Sequence, residues 1–211
     1  EKAHLSSKSL ENLKALEVEI APNNLRAKIQ AKVLSRGSFG ADLDDFDPDS
    51  PIDWHVKAEQ EARSLGQAAA KEVGVLDELA PLILNSNTST KVWWFGVGVG
   101  LSSTSVRKVF EQIRVLFGKP SSDRVNLQFI SGLINGWNQT KPEEASKFLD
   151  EALEDPIWGP LFPDLQFSIE LDQAGYSRLI KSLQIGRAPS WTYKYLGFGR
   201  RTDPLMVTQI A

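Results

Sequence analysis

The stretch Lys91-Val92-Trp93-Trp94-Phe95-Gly96-Val97-Gly98-Val99-Gly100-Leu101 decides how the rest of the chain is read. Two structures suit it. An apolar run followed by alternating glycines can be a strand, a glycine-rich turn and a helix N-terminus, the opening of a dinucleotide or phosphate site. That fingerprint is G-x-G-x-x-G, whereas position 101 is Leu and Ser102-Ser103-Thr104-Ser105 follows. No βαβ alternation comes after it, and no G-x-x-x-x-G-K-[ST] occurs in the chain. The other structure is a helix whose glycines admit close neighbours. Glycine costs about 1 kcal/mol in a helix interior, so its recurrence there implies helix–helix approach that larger side chains would block.

The recurrence extends outward. Gly132-Leu133-Ile134-Asn135-Gly136 lies about one helical-repeat length later, and Gly197-Phe198-Gly199 about two further on. Between these small-residue helices run amphipathic ones. The expected small-residue helices are 91–101, 124–137, roughly 161–171, and 189–199; their partners are 104–117, 142–153 and 174–185. The partner stripes are regular: Val106, Val109, Phe110, Ile113, Leu116 and Phe117; Ala145, Phe148, Leu149, Ala152 and Leu153; Tyr176, Leu179, Ile180 and Leu183. Thr140 with Glu143 reads as a capping box, and Pro142 suits a first turn.

Upstream, a helix is expected from Leu5 to Ile20 and another to about Ser35, separated by Ala21-Pro22-Asn23-Asn24. After residues 37–52, Asp53 can cap a helix burying Trp54, Ala58, Ala62, Leu65, Ala69 and Val73. A shorter one spans Val75 to Leu84. The expected organisation is a helical hairpin at 1–36, an acidic linker at 37–52, a second hairpin at 53–90 and a repeat region at 91–211. The fold class is all α, with antiparallel helix pairs stacked as a short right-handed α-solenoid.

Composition limits the chemistry. With no cysteine, the chain has no disulfide framework, thiolate metal site or cysteine nucleophile, which suits a reducing, cytoplasmic setting. Its longest apolar run has ten residues, against about 20 needed to cross a bilayer. Glu1 to Leu10 lack a basic-then-apolar order and the chain has no initiator Met, so both ends read as boundaries of a segment of a longer protein. No membrane association and no cofactor are expected.

The layout of Phe95-Gly96-Val97-Gly98 with Leu101, then Ser131-Gly132-Leu133-Ile134-Asn135-Gly136-Trp137, then a Pro142-led helix with Phe148-Leu149-Asp150, resembles tetratricopeptide- or HEAT-like regions of large bacterial multidomain proteins. Among these it looks most like the solenoids attached to signal-transduction NTPases of bacterial defence. The resemblance covers about residues 91–205 and implies a sensor or scaffold that recognises a protein or ligand while another domain hydrolyses nucleotide. The strict tetratricopeptide signature is not met, and no family site residue carries over.

Four groups of polar residues are candidates for chemistry. Asp42, Asp44, Asp45, Asp47, Asp49 and Asp53 offer hard oxygen donors for Ca²⁺, but an EF-hand starting at Asp45 needs Gly at 50 and Glu at 56, where Ser50 and Val56 stand. A solvated acidic linker is the simpler reading. His4 and His55 lie far apart, and Glu59 alone stands one turn from His55, too few groups for zinc or a Ser-His-Asp triad. Glu143 with Glu144, and Asp150 with Glu151 and Glu154, fall off the apolar stripes and read as a solvated face rather than acid–base pairs.

The basic end is the most specific candidate. Residues 174–211 hold six Lys/Arg and one Asp/Glu, whereas 91–173 hold eight against eleven and 1–90 ten against fifteen. Arg178, Lys181, Arg187, Lys194, Arg200 and Arg201 are the candidate contacts for nucleic acid or another partner, interleaved with Tyr176, Trp191, Tyr193, Tyr195 and Phe198 on which bases can stack. Against this, Trp191, Tyr195 and Phe198 have core spacing. The expected function is a non-catalytic scaffold or sensor; a nucleic-acid-binding module is the first alternative and a nucleotide-binding enzyme fragment the second.

Overall fold

In the computed structural model, which describes residues 23–35, 54–87, 90–117 and 125–197, the glycine stretch is the interior of a helix. The described residues form nine α-helices and two 3-10 segments, with no strand among them. They are α1 (Leu25–Lys32), α2 (Trp54–Ala69), α3 (Val75–Leu84), α4 (Thr90–Ser102), α5 (Val106–Phe117), α6 (Leu127–Thr140), α7 (Pro142–Ala152), α8 (Phe162–Gln166) and α9 (Gln173–Ile185). The 3-10 segments are Gly159–Leu161 and Ser190–Gly197. Short polar side chains start several helices by occupying a free first-turn amide. Asn24 accepts from Ala27 N at 2.8 Å, Asn126 from Gln128 N at 3.0 Å and Asp172 from Gly175 N at 2.7 Å.

Glycine sets the spacing of the central layer. A Cβ placed on Gly96 or Gly100 would lie closer than 3.0 Å to the α6 backbone at Phe129 O or Leu133 O; one on Gly132 or Gly136 would strike Trp93 O or Val97 O of α4. Because moving from Gly96 to Gly100 moves the contact from Phe129 to Leu133, α4 and α6 run in the same direction. Gly66 of α2 and Gly98 of α4 make the equivalent contact on α4's other side, at Phe95 O and Arg63 O. Between these flanks, α4 turns Val92, Phe95 and Val99 into the core.

One hydrophobic cluster extends from Ile29 in α1 to Tyr193 in the last 3-10 segment. Its aromatic centre joins α5, α6, α7 and the turn after α7: Phe110 lies 4.2 Å from Phe148 and 5.5 Å from Trp158 between ring centroids, and Trp137 lies 5.7 Å from Phe148. Such pairs add about 0.5–1.5 kcal/mol each beyond area burial.

Several expectations change. Helix α2 ends at Ala69, leaving Val73 96% exposed rather than on its buried face. The expected helix 161–171 is reduced to a 3-10 turn and five residues of α8, where Pro160 and Pro163 remove backbone donors from consecutive turns. Of the expected helix 189–199, Ser190–Gly197 is 3-10, so a spacing of four no longer marks one face there: Trp191 is 67% exposed, whereas Tyr193 is buried. Thr140 belongs to α6, where its hydroxyl donates to Trp137 O at 3.2 Å, and Lys141 caps α7 without a side-chain bond. The expected helix 5–20 and the acidic loop 37–52 lie outside the described residues.

A buried amide gives a direct stability test. Gln166 is fully buried, yet neither its Oε1 nor its Nε2 has a hydrogen-bond partner. An unsatisfied buried polar group costs about 1–3 kcal/mol, so Gln166→Met should raise stability by about 1 kcal/mol or more, read as an increased urea midpoint. A lowered midpoint would show that the amide contributes a favourable interaction.

Candidate functional site

Among the described residues, the largest convergence of charged groups lies along α7 and the turn after it. The α7 stripe of Ala145, Phe148, Leu149 and Ala152 is buried, which turns Asp150 and Glu151 to the rim, with Glu154 and Asp155 in the turn beyond. Helix α5 supplies cations from one side. Arg107 donates from Nη1 and Nη2 to the Glu151 carboxylate at 2.7 and 3.2 Å, and Arg114 Nη1 lies 2.6 Å from Asp155 Oδ2. Helix α9 supplies them from the other. Arg178 donates from Nε to Asp150 Oδ1 at 2.8 Å and from Nη2 to the Ser146 hydroxyl, while Lys181 Nζ lies 2.9 Å from Glu154 Oε1. Arg187 donates to the Glu154 carbonyl.

These pairs also fix direction. Both Arg107–Glu151 with Arg114–Asp155 and Asp150–Arg178 with Glu154–Lys181 advance together, so the chain leaving the end of α7 into the following turn runs in the same sense as α5 and α9. The carboxylates expected to be solvated are therefore the middle of a three-helix ionic belt. Of the six candidate cations, Arg178, Lys181 and Arg187 are engaged in that belt; the Lys194 side chain, Arg200 and Arg201 lie outside the description. Sequence reasoning missed Arg107 and Arg114, whose signal was one basic face on α5 opposite one acidic face on α7.

Titration follows the geometry. The hydrogen bond from Arg107 holds the Glu151 carboxyl below its usual range, and the same bond raises Arg107. Lys181 lowers Glu154 through its hydrogen bond. Desolvation opposes ionisation of Asp155, but the hydrogen bonds from Ile157 N, Trp158 N and Arg114 outweigh it and the carboxyl is lowered. Burial pushes the Tyr193 phenol up against its 2.7 Å hydrogen bond with Ser182.

A cleft of about 60 Å³ sits between α5 and α7, with Phe110, Phe148 and Trp158 beneath the two Arg–carboxylate bars and Glu111 on its rim. Pockets for drug-sized molecules run to about 300–1,000 Å³, so this cleft is of solvent size. Among the described residues no three His, Asp or Glu groups converge as metal ligands, and no helix is long and apolar enough to cross a membrane.

The belt separates a structural cation from a surface one. Arg178 is 9% exposed at its side chain and Lys181 53%. Arg178→Ala should cost about 1–2 kcal/mol through lost charged hydrogen bonds and stem packing, whereas Lys181→Ala should cost about 0.5 kcal/mol or less. Thermal midpoints of the two variants make the comparison. Equal midpoints would remove Arg178 from the belt's structural role.

Comparison with protein-family models, curated proteins and solved structures finds no match.

Proposed function

We propose that this chain is a non-catalytic helical-repeat segment, a short solenoid that serves as a protein- or ligand-binding scaffold or sensor within a larger protein. One observation carries the reading: helices in equivalent places share a direction, α4 with α6 through glycine contacts and α5 with α9 and the chain leaving α7 through ion pairs. Helix pairs stacked side by side produce this relation, and stacked pairs present extended faces rather than a closed pocket. The internally neutralised belt supports recognition by a face over acid–base catalysis by these carboxylates.

Selection of a displayed library of short random peptides on the intact chain tests the reading. Recovery of peptides with micromolar affinity is the expected result; failure to recover any binder would count against a peptide-recognising scaffold. A parallel titration with single- and double-stranded oligonucleotides across a salt series tests the basic-end alternative. Binding by the engaged cations must break their ion pairs, so the expected result there is weak affinity even at low salt.

A further inference from the structure

We propose that the face shared by α2, α4 and α6 is a docking surface for an extended peptide that carries a carboxylate, a partner assignment that rests on the scaffold reading. The face is defined by what the helices leave over. On α4, Val92, Phe95 and Val99 enter the core, Gly96 and Gly100 meet α6, and Gly98 meets α2. At 3.6 residues per turn the remaining side carries Trp93 and Leu101, which lie outside the core cluster, with Val97 fully buried between them. Trp93 and Leu101 are half-buried, and Trp93 stands edge-on to Trp94 with centroids 4.7 Å apart.

The flanking helices contribute further polar groups. Gly98 rests on Arg63 O and Gln67 N, which places Arg63 and Gln67 beside α4 on the α2 side. Across α4, Gly132 rests on Trp93 O, so Gln128 and Ser131 flank Trp93 from α6. The side chains of Gln67, Gln128 and Ser131 make no hydrogen bond within the described protein, and neither does Arg63. Arg63 stands apart in this respect. Arg26, Arg107, Arg114, Arg178 and Arg187 each donate to a carboxylate or carbonyl, while half-buried Arg63 has no such acceptor among the described residues, even with Glu59 one turn away.

Charge and shape together select the occupant. A half-buried guanidinium with all its donors open pairs best with a carboxylate, whose two oxygens match its fork. Amide and hydroxyl side chains on both flanks suit the donors and acceptors of a main chain, and Trp93 with Leu101 supplies an apolar floor between them. Helix axes at close approach lie about 8 Å apart, so α2 to α6 spans about 16 Å. An extended strand covers that in about five residues at about 3.3 Å each.

The test uses the intact chain with fluorescent peptides built from Gly, Leu and Glu with a free C-terminus, against the same peptides with Gln for Glu and a C-terminal amide. Anisotropy should show at least tenfold tighter binding of the acidic pool, lost in Arg63→Gln with an unchanged thermal midpoint. Trp93→Ala should weaken both pools. Equal binding of the two pools, or acidic binding indifferent to Arg63→Gln, overturns the assignment. If peptides recovered by library selection bind both variants normally, the scaffold reading stands and this face is not its site. Displacement of the acidic pool by an oligonucleotide through Arg63 would also overturn it in favour of a nucleic-acid surface.

Discussion

Gly132→Ala should lower stability by about 2 kcal/mol, although the same change in an isolated helix would raise it by about 1 kcal/mol. The added Cβ would lie closer than 3.0 Å to Trp93 O and Trp93 C, backbone atoms that cannot rotate away as a side chain can. Overpacking typically costs about 1–3 kcal/mol, and a backbone obstacle places this site at or above that range before the propensity gain is subtracted. Gly132→Val should lose about 4 kcal/mol, because its larger branched side chain forces α4 and α6 apart and weakens the contacts at Gly96, Gly100 and Gly136 together. Non-additivity provides a second reading. Once one substitution has separated the helices, Gly96→Ala on the Gly132→Ala background should cost less than it does alone. Gly74 is the contrast: its Cβ would meet nothing within 4 Å, but its φ of +83° is left-handed, so Gly74→Ala should lose about 1 kcal/mol through strain alone. Urea midpoints for the series settle the matter, and an unchanged midpoint for Gly132→Ala would show that these contacts do not set the α4–α6 spacing.

Asp155→Ala should lose about 2–4 kcal/mol and make stability less dependent on acid. Its side chain is 16% exposed, Oδ1 accepts from Ile157 N at 2.8 Å and Trp158 N at 3.1 Å, and Oδ2 pairs with Arg114. Truncation removes the acceptor for two turn amides and leaves a partly buried guanidinium without its partner, each a costly loss. The turn also holds Trp158 in the aromatic centre, 5.5 Å from Phe110. The sign with pH follows from the lowered carboxyl. Asp155 contributes fully above its unfolded value, near 3.9, and the contribution is lost as pH falls through its lower folded value. Glu151 acts in the same direction. Urea midpoints of the native and Asp155→Ala chains, measured from neutral pH down to about pH 3, should therefore converge towards the acid end. A constant gap across that range would assign the loss to packing around Trp158 instead.

The helices legible in the sequence were those with a complete local signal. Val75–Leu84 matches the expected bounds, and α5, α7 and α9 differ from theirs by one or two residues, because an apolar stripe of period 3.6 is written in neighbours three and four apart. The glycine stretch was legible as packing for the same reason, since its recurrence at Gly132 and Gly136 implied a common cause. The 3-10 segments were less so. Two prolines shorten one, and in the other Tyr193 turns inward to Ser182 while Trp191 faces outward, an outcome that helical spacing does not encode.

All-helical character and most helix positions came from local periodicity and needed no tertiary contact. Only the folded arrangement decided which polar groups are spent, because each such pairing joins residues 27 to 44 apart and depends on which helix lies alongside. Arg178, which composition placed on an open basic surface, is held by Asp150 and Ser146, whereas Arg63, which no motif singled out, has no acceptor among the described residues. A cation's availability is set by its neighbours in space, and that is information the linear order of residues carries only through the fold.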